Sequence, residues 1–304
     1  MNLKTCYRII AALMVLMLLP AMAFAAGTAD RSVSVGAKNF TEQYITGEMV
    51  ALLLEAEGFD VTRRFGMSSF ALRQAQLSGQ VDISNDYTGT AWTSYLKQEE
   101  TIRDEVALFE AVKELDLKEN DVVWVNRMDL NNTYAMGLTE SVAKKLNILT
   151  LEDLAGYVNN NPRGLNFAVE YEFFERPDGF FGMAEFYGFS VSPRDVRTMD
   201  LGLTYEALKS GDVDVAMVFT TDGHLVEYEL VVLEDTKNFF PIYNLCNLIN
   251  RDIYEKYPEI EEILSPMITL LDQESMTELN YKVDGLKEEP EDVAYSFLVD
   301  NGLL

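Results

Sequence analysis

From residue 32 onward, short apolar runs alternate with stretches of helical period. Val33 to Gly36 reads as a strand, and Ile45, Met49, Leu52 and Leu53 follow at helical spacing, with Gly58 as the stop. Asn39-Phe40-Thr41-Glu42 between them resembles a capping box. That places Lys38 at a helix N-terminus, where free N–H groups favour an anion; a lysine facing solvent is the plainer reading. A second strand, Phe59 to Arg64, leads through Gly66-Met67-Ser68-Ser69 into a helix around Leu72 to Leu77, and the strand Val81-Asp82-Ile83 follows. Alternation of this kind predicts an α/β fold with a parallel sheet.

Further along, residues 102 to 120 read as a charged helix and Val122 to Val125 as a strand. Asn166 to Glu170 and Leu230 to Leu233 are further strands, and helices from about 252 to 271, 273 to 280 and 290 to 302 close the chain. A faint repeat links the halves. Leu77-Ser78-Gly79-Gln80-Val81-Asp82-Ile83 runs on to Tyr87-Thr88, and Lys209-Ser210-Gly211-Asp212-Val213-Asp214-Val215 runs on to Phe219-Thr220, at a constant offset of 132 residues. Two similar α/β lobes would each present one ring at the same topological place, and two facing lobes make a cleft.

Residues 84 to 92, Ser-Asn-Asp-Tyr-Thr-Gly-Thr-Ala-Trp, crowd two aromatics, two threonines and a glycine behind an apolar run. A loop of that composition at the carboxyl end of a buried strand is where open α/β sheets bind small ligands. Tyr87, Tyr134, Phe219 and Tyr243 all fall at predicted strand ends or turns. A quaternary ammonium group has no N–H to donate, so ring faces are the usual way to hold it, at about 0.5–2 kcal/mol per ring. For any single ring, plain packing is the alternative. Arg176, ahead of a Pro-Asp-Gly corner, has the geometry of a fork for a carboxylate, with pairing to a neighbouring acid as the alternative. Trp92 reads as packing beneath the loop.

Composition narrows the classes. A chain of 304 residues with 48% hydrophobic content can bury a large core. Lys4 and Arg8, an apolar run from Ile9 to Leu19 and Ala23-Phe24-Ala25 read as a cleavable signal peptide over residues 1–25, the run being too short to span a bilayer. Export to the periplasm follows. Beyond the leader Cys246 is the one cysteine, so no internal disulfide is available and the thiol reads as a small buried apolar group. The leader holds two basic and no acidic residues, so its removal takes the formal net charge from −26 to −28. That charge argues against nucleic acid as a partner.

Several motifs in order carry a resemblance. They are Gly36-Ala37-Lys38-Asn39-Phe40-Thr41-Glu42-Gln43, Asp86-Tyr87-Thr88-Gly89-Thr90, Asn131-Asn132-Thr133-Tyr134, Arg176-Pro177-Asp178-Gly179, Thr220-Thr221-Asp222-Gly223, Val232-Leu233-Glu234-Asp235 and Leu279-Asn280-Tyr281. Over residues 32 to 304 the chain resembles the glycine betaine/choline substrate-binding proteins of osmoprotectant ABC importers. The resemblance implies a type II periplasmic-binding fold, with lobe I from 32–130 plus 241–304, lobe II from 131–240, two crossovers and a ligand cleft between. It implies an aromatic box of Tyr87, Tyr134, Phe219 and Tyr243, carboxylate contacts from Lys38, Thr90 and Arg176, and polar contacts from Glu172 and Asn132 at the rim. Permease subunits of an ABC transporter are the implied partners, with the protein a monomer peripheral to the membrane. Phe219 stands where the family commonly has tyrosine, and Ser68-Ser69-Phe70 where Gly-Gly-Thr is more usual.

Two rival readings remain. An enzyme could use Asp86 and Glu172 as acid and base, but His224 is the one histidine, no Ser/His or Cys/His pairing stands out, and no cluster has metal-ligand spacing. His224 reads as a surface residue. No cofactor or metal is called for. A ligand-sensing module docking on a receptor is the other rival.

Overall fold

The computed structural model describes residues 31–304, so the signal-peptide reading lies outside the described residues. Ten strands form two five-stranded sheets. The first holds β1 (Ser32–Lys38), β2 (Asp60–Met67), β3 (Ile83–Tyr87), β4 (Val122–Val125) and β10 (Leu245–Asn250), in the order β2-β1-β3-β10-β4. The second holds β5 (Tyr134–Thr139), β6 (Phe167–Val169), β7 (Val196–Thr198), β8 (Val215–Phe219) and β9 (Leu230–Val232), in the order β7-β6-β8-β5-β9. Helices alternate with the strands, and those spanning Glu259–Leu264, Gln273–Asp284 and Pro290–Asp300 pack on the helix Thr41–Ala56.

The two sheets share one plan. β1 runs parallel to β3, and β6 parallel to β8. In each sheet the strand reached by crossing over pairs antiparallel to the central one: β10 to β3, and β5 to β8. The sheets are therefore mixed, which corrects the expectation of a parallel sheet; strand–helix alternation describes β1 to β3 but not the strands that arrive from the other sheet. The central strands β3 and β8 end on Tyr87 and Phe219, the two rings of the repeat.

Two segments connect the sheets and bind each other. Asn131 bridges antiparallel to Asn244, the Asn132 N–H donates to the Tyr243 carbonyl at 3.2 Å, and the Leu245 N–H donates to the Leu130 carbonyl at 3.1 Å. Tyr134 opens β5 just after this paired crossing, and Tyr243 lies within it, two residues ahead of β10. Gly89 is needed beside it, because a Cβ there would lie 2.7 Å from Cδ1 of Tyr243 and 2.8 Å from the Ile242 carbonyl.

Residues 84 to 92 are not one loop. Ser84 to Tyr87 complete β3, and a helical turn at Thr88–Thr90 with a π-turn at Ala91–Tyr95 follows. Polar side chains are tolerated in this buried strand because they find partners inside: Ser84 Oγ donates to Gln76 Oε1 at 3.1 Å, and Asn247 Nδ2 to Asn85 Oδ1 at 2.7 Å. Trp92 packs below with Leu108 and Trp124, its indole N–H donating to the Glu100 carbonyl at 2.7 Å. Cys246 is buried. The helical stretch around 252–271 is three short helices, broken at Pro258 and Pro266. Among the described residues no helix is long and apolar enough to cross a membrane.

Candidate functional site

Strand register builds the aromatic cluster. Tyr134 and Phe219 are partners across the antiparallel pair β5–β8, so their rings stand side by side with centroids 5.0 Å apart. Tyr243 meets Tyr134 edge-on at 5.5 Å. Phe40, just ahead of the helix Thr41–Ala56, lies between the two sheets, 6.3 Å from Tyr87 and 5.3 Å from Phe219. The structure thus brings Tyr87, Tyr134, Phe219 and Tyr243 together and adds Phe40, a fifth ring that the sequence reading did not include. These rings, with Lys38, Ser69, Thr90 and Asn132, line a cavity of about 20 Å³.

A larger cavity of about 390 Å³ adjoins it. Lys38, Phe40, Ser69, Asn132, Tyr134 and Phe219 line both cavities, so the two are continuous. Glu42, Glu170, Glu172, Asp200, Tyr205, Asp222, His224, Asn280 and Asp284 extend the walls of the larger one.

The expected capping box does not form. Phe40 is the N-cap residue, without a side-chain bond to the helix, and Glu42 turns inward instead. Its Oε1 accepts from the Tyr87 hydroxyl at 2.7 Å and its Oε2 from the Thr221 hydroxyl at 2.7 Å. One carboxylate therefore ties a strand end of the first sheet to the turn after β8 in the second. Burial pushes the Glu42 carboxyl up, while hydrogen bonds from Thr221, Tyr87, Asn132 and Asn280 oppose that shift.

Both cations read as carboxylate ligands already have acidic partners. Lys38 Nζ donates to Asp86 Oδ1 at 2.6 Å in a pair with each side chain 3% exposed, and stands 5.0 Å from the Tyr87 ring centre. The Tyr95 hydroxyl completes the coordination of Asp86 at Oδ2, 2.9 Å away. Arg176 forks onto Asp178, Nε to Oδ1 at 2.8 Å and Nη2 to Oδ2 at 2.7 Å, and its Nη1 donates to Glu172 Oε1 at 3.0 Å. Its guanidinium lies 5.1 Å from the Tyr134 ring centre, and it is not among the residues lining either cavity. Burial alone would raise Asp178, but the charge and hydrogen bonds of Arg176, with the Tyr243 and Thr93 hydroxyls, hold it below the ordinary aspartate value. Beside the Pro-Asp-Gly corner, the fork that Arg176 offers is filled by the corner's own aspartate.

Thr90 lines the smaller cavity, Asn132 both, and Glu172 the larger. Glu172 Oε2 also accepts the Ser69 N–H at 3.3 Å, a second tie between the sheets. Ser68 caps the helix Ser69–Leu77 by accepting from the Ala71 N–H.

His224 is not a surface residue. Its ring stacks on Tyr205 at 4.9 Å, and its Nδ1 lies 2.9 Å from Asp222 Oδ1 and 3.6 Å from Asp284 Oδ2. Burial would lower the imidazole, but Asp222, Asp284 and Glu227 raise it above its ordinary value. Asp284 is pushed up to about 6 by burial and the Asp222 charge. Ligating atoms of Asp222, His224 and Asp284 lie within 4.8 Å of one another, a grouping that chain spacing did not reveal.

Residues 31–300 match the family described as the substrate binding domain of ABC-type glycine betaine transport systems. The chain belongs to this family. A glycine-betaine-binding protein of Pseudomonas aeruginosa is 38% identical over 287 residues, which is 92% of each chain. An ergothioneine transport permease/ergothioneine binding protein of Helicobacter pylori is 37% identical over 90% of this chain but 48% of its own length, so the chain spans about half of that relative. Among solved structures, a glycine betaine/carnitine/choline ABC transporter protein superposes with a TM-score of 0.72 at 30% identity, over 89% of this chain and 99% of that one. As an ABC-system substrate-binding domain, the chain binds a substrate for transport and is not an enzyme. The binding-protein fold of two α/β sheet units is likewise the family's fold.

Proposed function

We propose that this protein captures a quaternary ammonium compatible solute outside the cytoplasm and hands it to the permease of an ABC importer. Lobe I would comprise 32–130 plus 241–304 and lobe II 131–240, meeting on the ligand. The observation that carries the reading is the cluster of Tyr87, Tyr134, Phe219 and Tyr243 around one small cavity, with Phe40 and the buried carboxylate of Glu42 behind it. Ring faces and a nearby negative charge suit a cation that has no hydrogen to donate. At about 0.5–2 kcal/mol per ring, four or five rings supply much of the roughly 8 kcal/mol that micromolar binding needs.

Since the cavity among the rings is about 20 Å³, the rings separate as the cation enters. Phe40 is the ring best placed to give way, because it sits on the segment between β1 and its helix and packs against rings from both sheets. The relatives' names support the ligand class, glycine betaine in one and ergothioneine in another. Calorimetry with choline, glycine betaine, carnitine and proline tests it. At least one trimethylammonium compound should bind, and NMR should show it chemically unchanged; silence from all of them would remove the ligand class.

A further inference from the structure

We infer that the larger cavity beyond the rings is a second subsite built to accept hydrogen-bond donors, and that the ligand is a trimethylammonium compound with a tail carrying an amine. This rests on the cation-box reading of the smaller cavity.

Two buried acceptors point to it. The side-chain oxygens of Asn132 and Asn280 have no protein partner, although the residues are only 5% and 2% exposed, and both residues line the larger cavity. The Asn280 amide nitrogen is already engaged, Nδ2 donating to the Thr221 carbonyl at 2.8 Å. Because the Thr221 carbonyl can only accept, the Asn280 amide cannot be turned the other way, and its oxygen is left needing a donor. A buried acceptor without a donor is costly, so a ligand N–H there is worth more than one in water.

The charges agree. Glu42, Glu170, Glu172, Asp200, Asp222 and Asp284 line the walls, with Glu172 paired to Arg176 and His224 beside Asp222 and Asp284, against Lys38, which Asp86 neutralises. Arg176, the other candidate for a ligand carboxylate, is held by Asp178 and Glu172. A carboxylate tail would enter an acidic compartment with no uncommitted lysine or arginine on its walls. An ammonium tail would meet carboxylates and amide oxygens. Asp284 bears on this, since burial beside Asp222 holds it at about 6, a strained charge that a bound ammonium would relieve.

The test compares aminopropyl-trimethylammonium with butyl-trimethylammonium, which differ by an ammonium in place of a methyl, and includes choline, by calorimetry on the whole mature protein at pH near 7.5. The amine compound should bind at least about tenfold tighter than the butyl compound, as expected for one charge-assisted bond in a buried site. In Asp284→Asn that ratio should fall at least about threefold. Equal affinities in the wild type, or a ratio untouched by Asp284→Asn, would overturn the subsite while leaving the box standing. Choline binding with neither longer compound bound would also overturn it. Failure of every trimethylammonium compound would remove the box reading and this inference with it.

Discussion

Replacing Glu42 by glutamine keeps the shape of a buried side chain and removes its charge. Glu42 Oε1 lies 2.7 Å from the Tyr87 hydroxyl, and a cation held on the Tyr87 face sits within about 6 Å of the ring centre, so carboxylate and cation are about 6–8 Å apart. With an effective dielectric constant of about 20, their attraction is about 2 kcal/mol, or roughly thirtyfold in affinity. Glutamine still accepts from one of the two hydroxyls and no longer carries a desolvated charge, so the fold should change by no more than about 1–2 kcal/mol. The assay is calorimetry with choline and with its neutral tert-butyl isostere, in which carbon replaces the nitrogen. Glu42→Gln should weaken the cation by about ten- to fiftyfold and leave the neutral compound within about threefold. Equal losses for both would show that Glu42 shapes the pocket without contributing charge, and would refute the electrostatic argument.

Arg176→Met should lower unfolding free energy by about 3–5 kcal/mol, measured by urea denaturation, because it strands the buried Asp178 carboxylate. Its effect on choline and glycine betaine should be equal, since the fork is occupied by Asp178; a loss confined to glycine betaine would place the guanidinium on the ligand instead. Asp284→Asn tests the acidic rim. The folded pKa of Asp284 is raised from 3.8 to about 6, so its favourable contribution is present below 3.8 and is lost as pH rises through about 6. The variant should therefore match the wild type near pH 4 and exceed it in stability above about pH 7, by up to about 3 kcal/mol; parallel pH–stability curves would contradict that.

Legibility varied with the range of the interaction. Tyr87 and Phe219 could be read because the repeat fixes their place at the ends of two equivalent strands, and the structure places each at the end of a central strand. Tyr134 and Tyr243 could be read from their place at predicted strand ends or turns, the resemblance assigning them to the box, and the fold explains them through the paired crossing segments. Glu42 was misread because the capping-box pattern is local, whereas its partners Tyr87 and Thr221 lie 45 and 179 residues away. Phe40 escaped notice because one apolar residue ahead of a helix looks like ordinary packing. For Arg176 the sequence offered a ligand fork or a local pair, and Asp178 is two residues away with geometry that fills the fork. The Asp222–His224–Asp284 group joins the turn after β8 to the end of a C-terminal helix, a contact that no spacing rule reaches. The polar run Ser84-Asn85-Asp86 looked like a loop because its partners Gln76, Asn247 and Lys38 could not be seen from the run itself.

The central claim is that this site holds a cation by ring faces and buried charge. Titrating the wild-type protein with choline, glycine betaine and carnitine, each beside the tert-butyl isostere in which carbon replaces the cationic nitrogen, tests it most directly. The choline pair tests it most cleanly, because its isostere is neutral whereas the other two are anions. At least one trimethylammonium compound should bind in about the micromolar range and its carbon isostere at least tenfold more weakly, as the loss of cation–π attraction at several rings requires. Equal binding within every pair, or no binding by any of them, would contradict it.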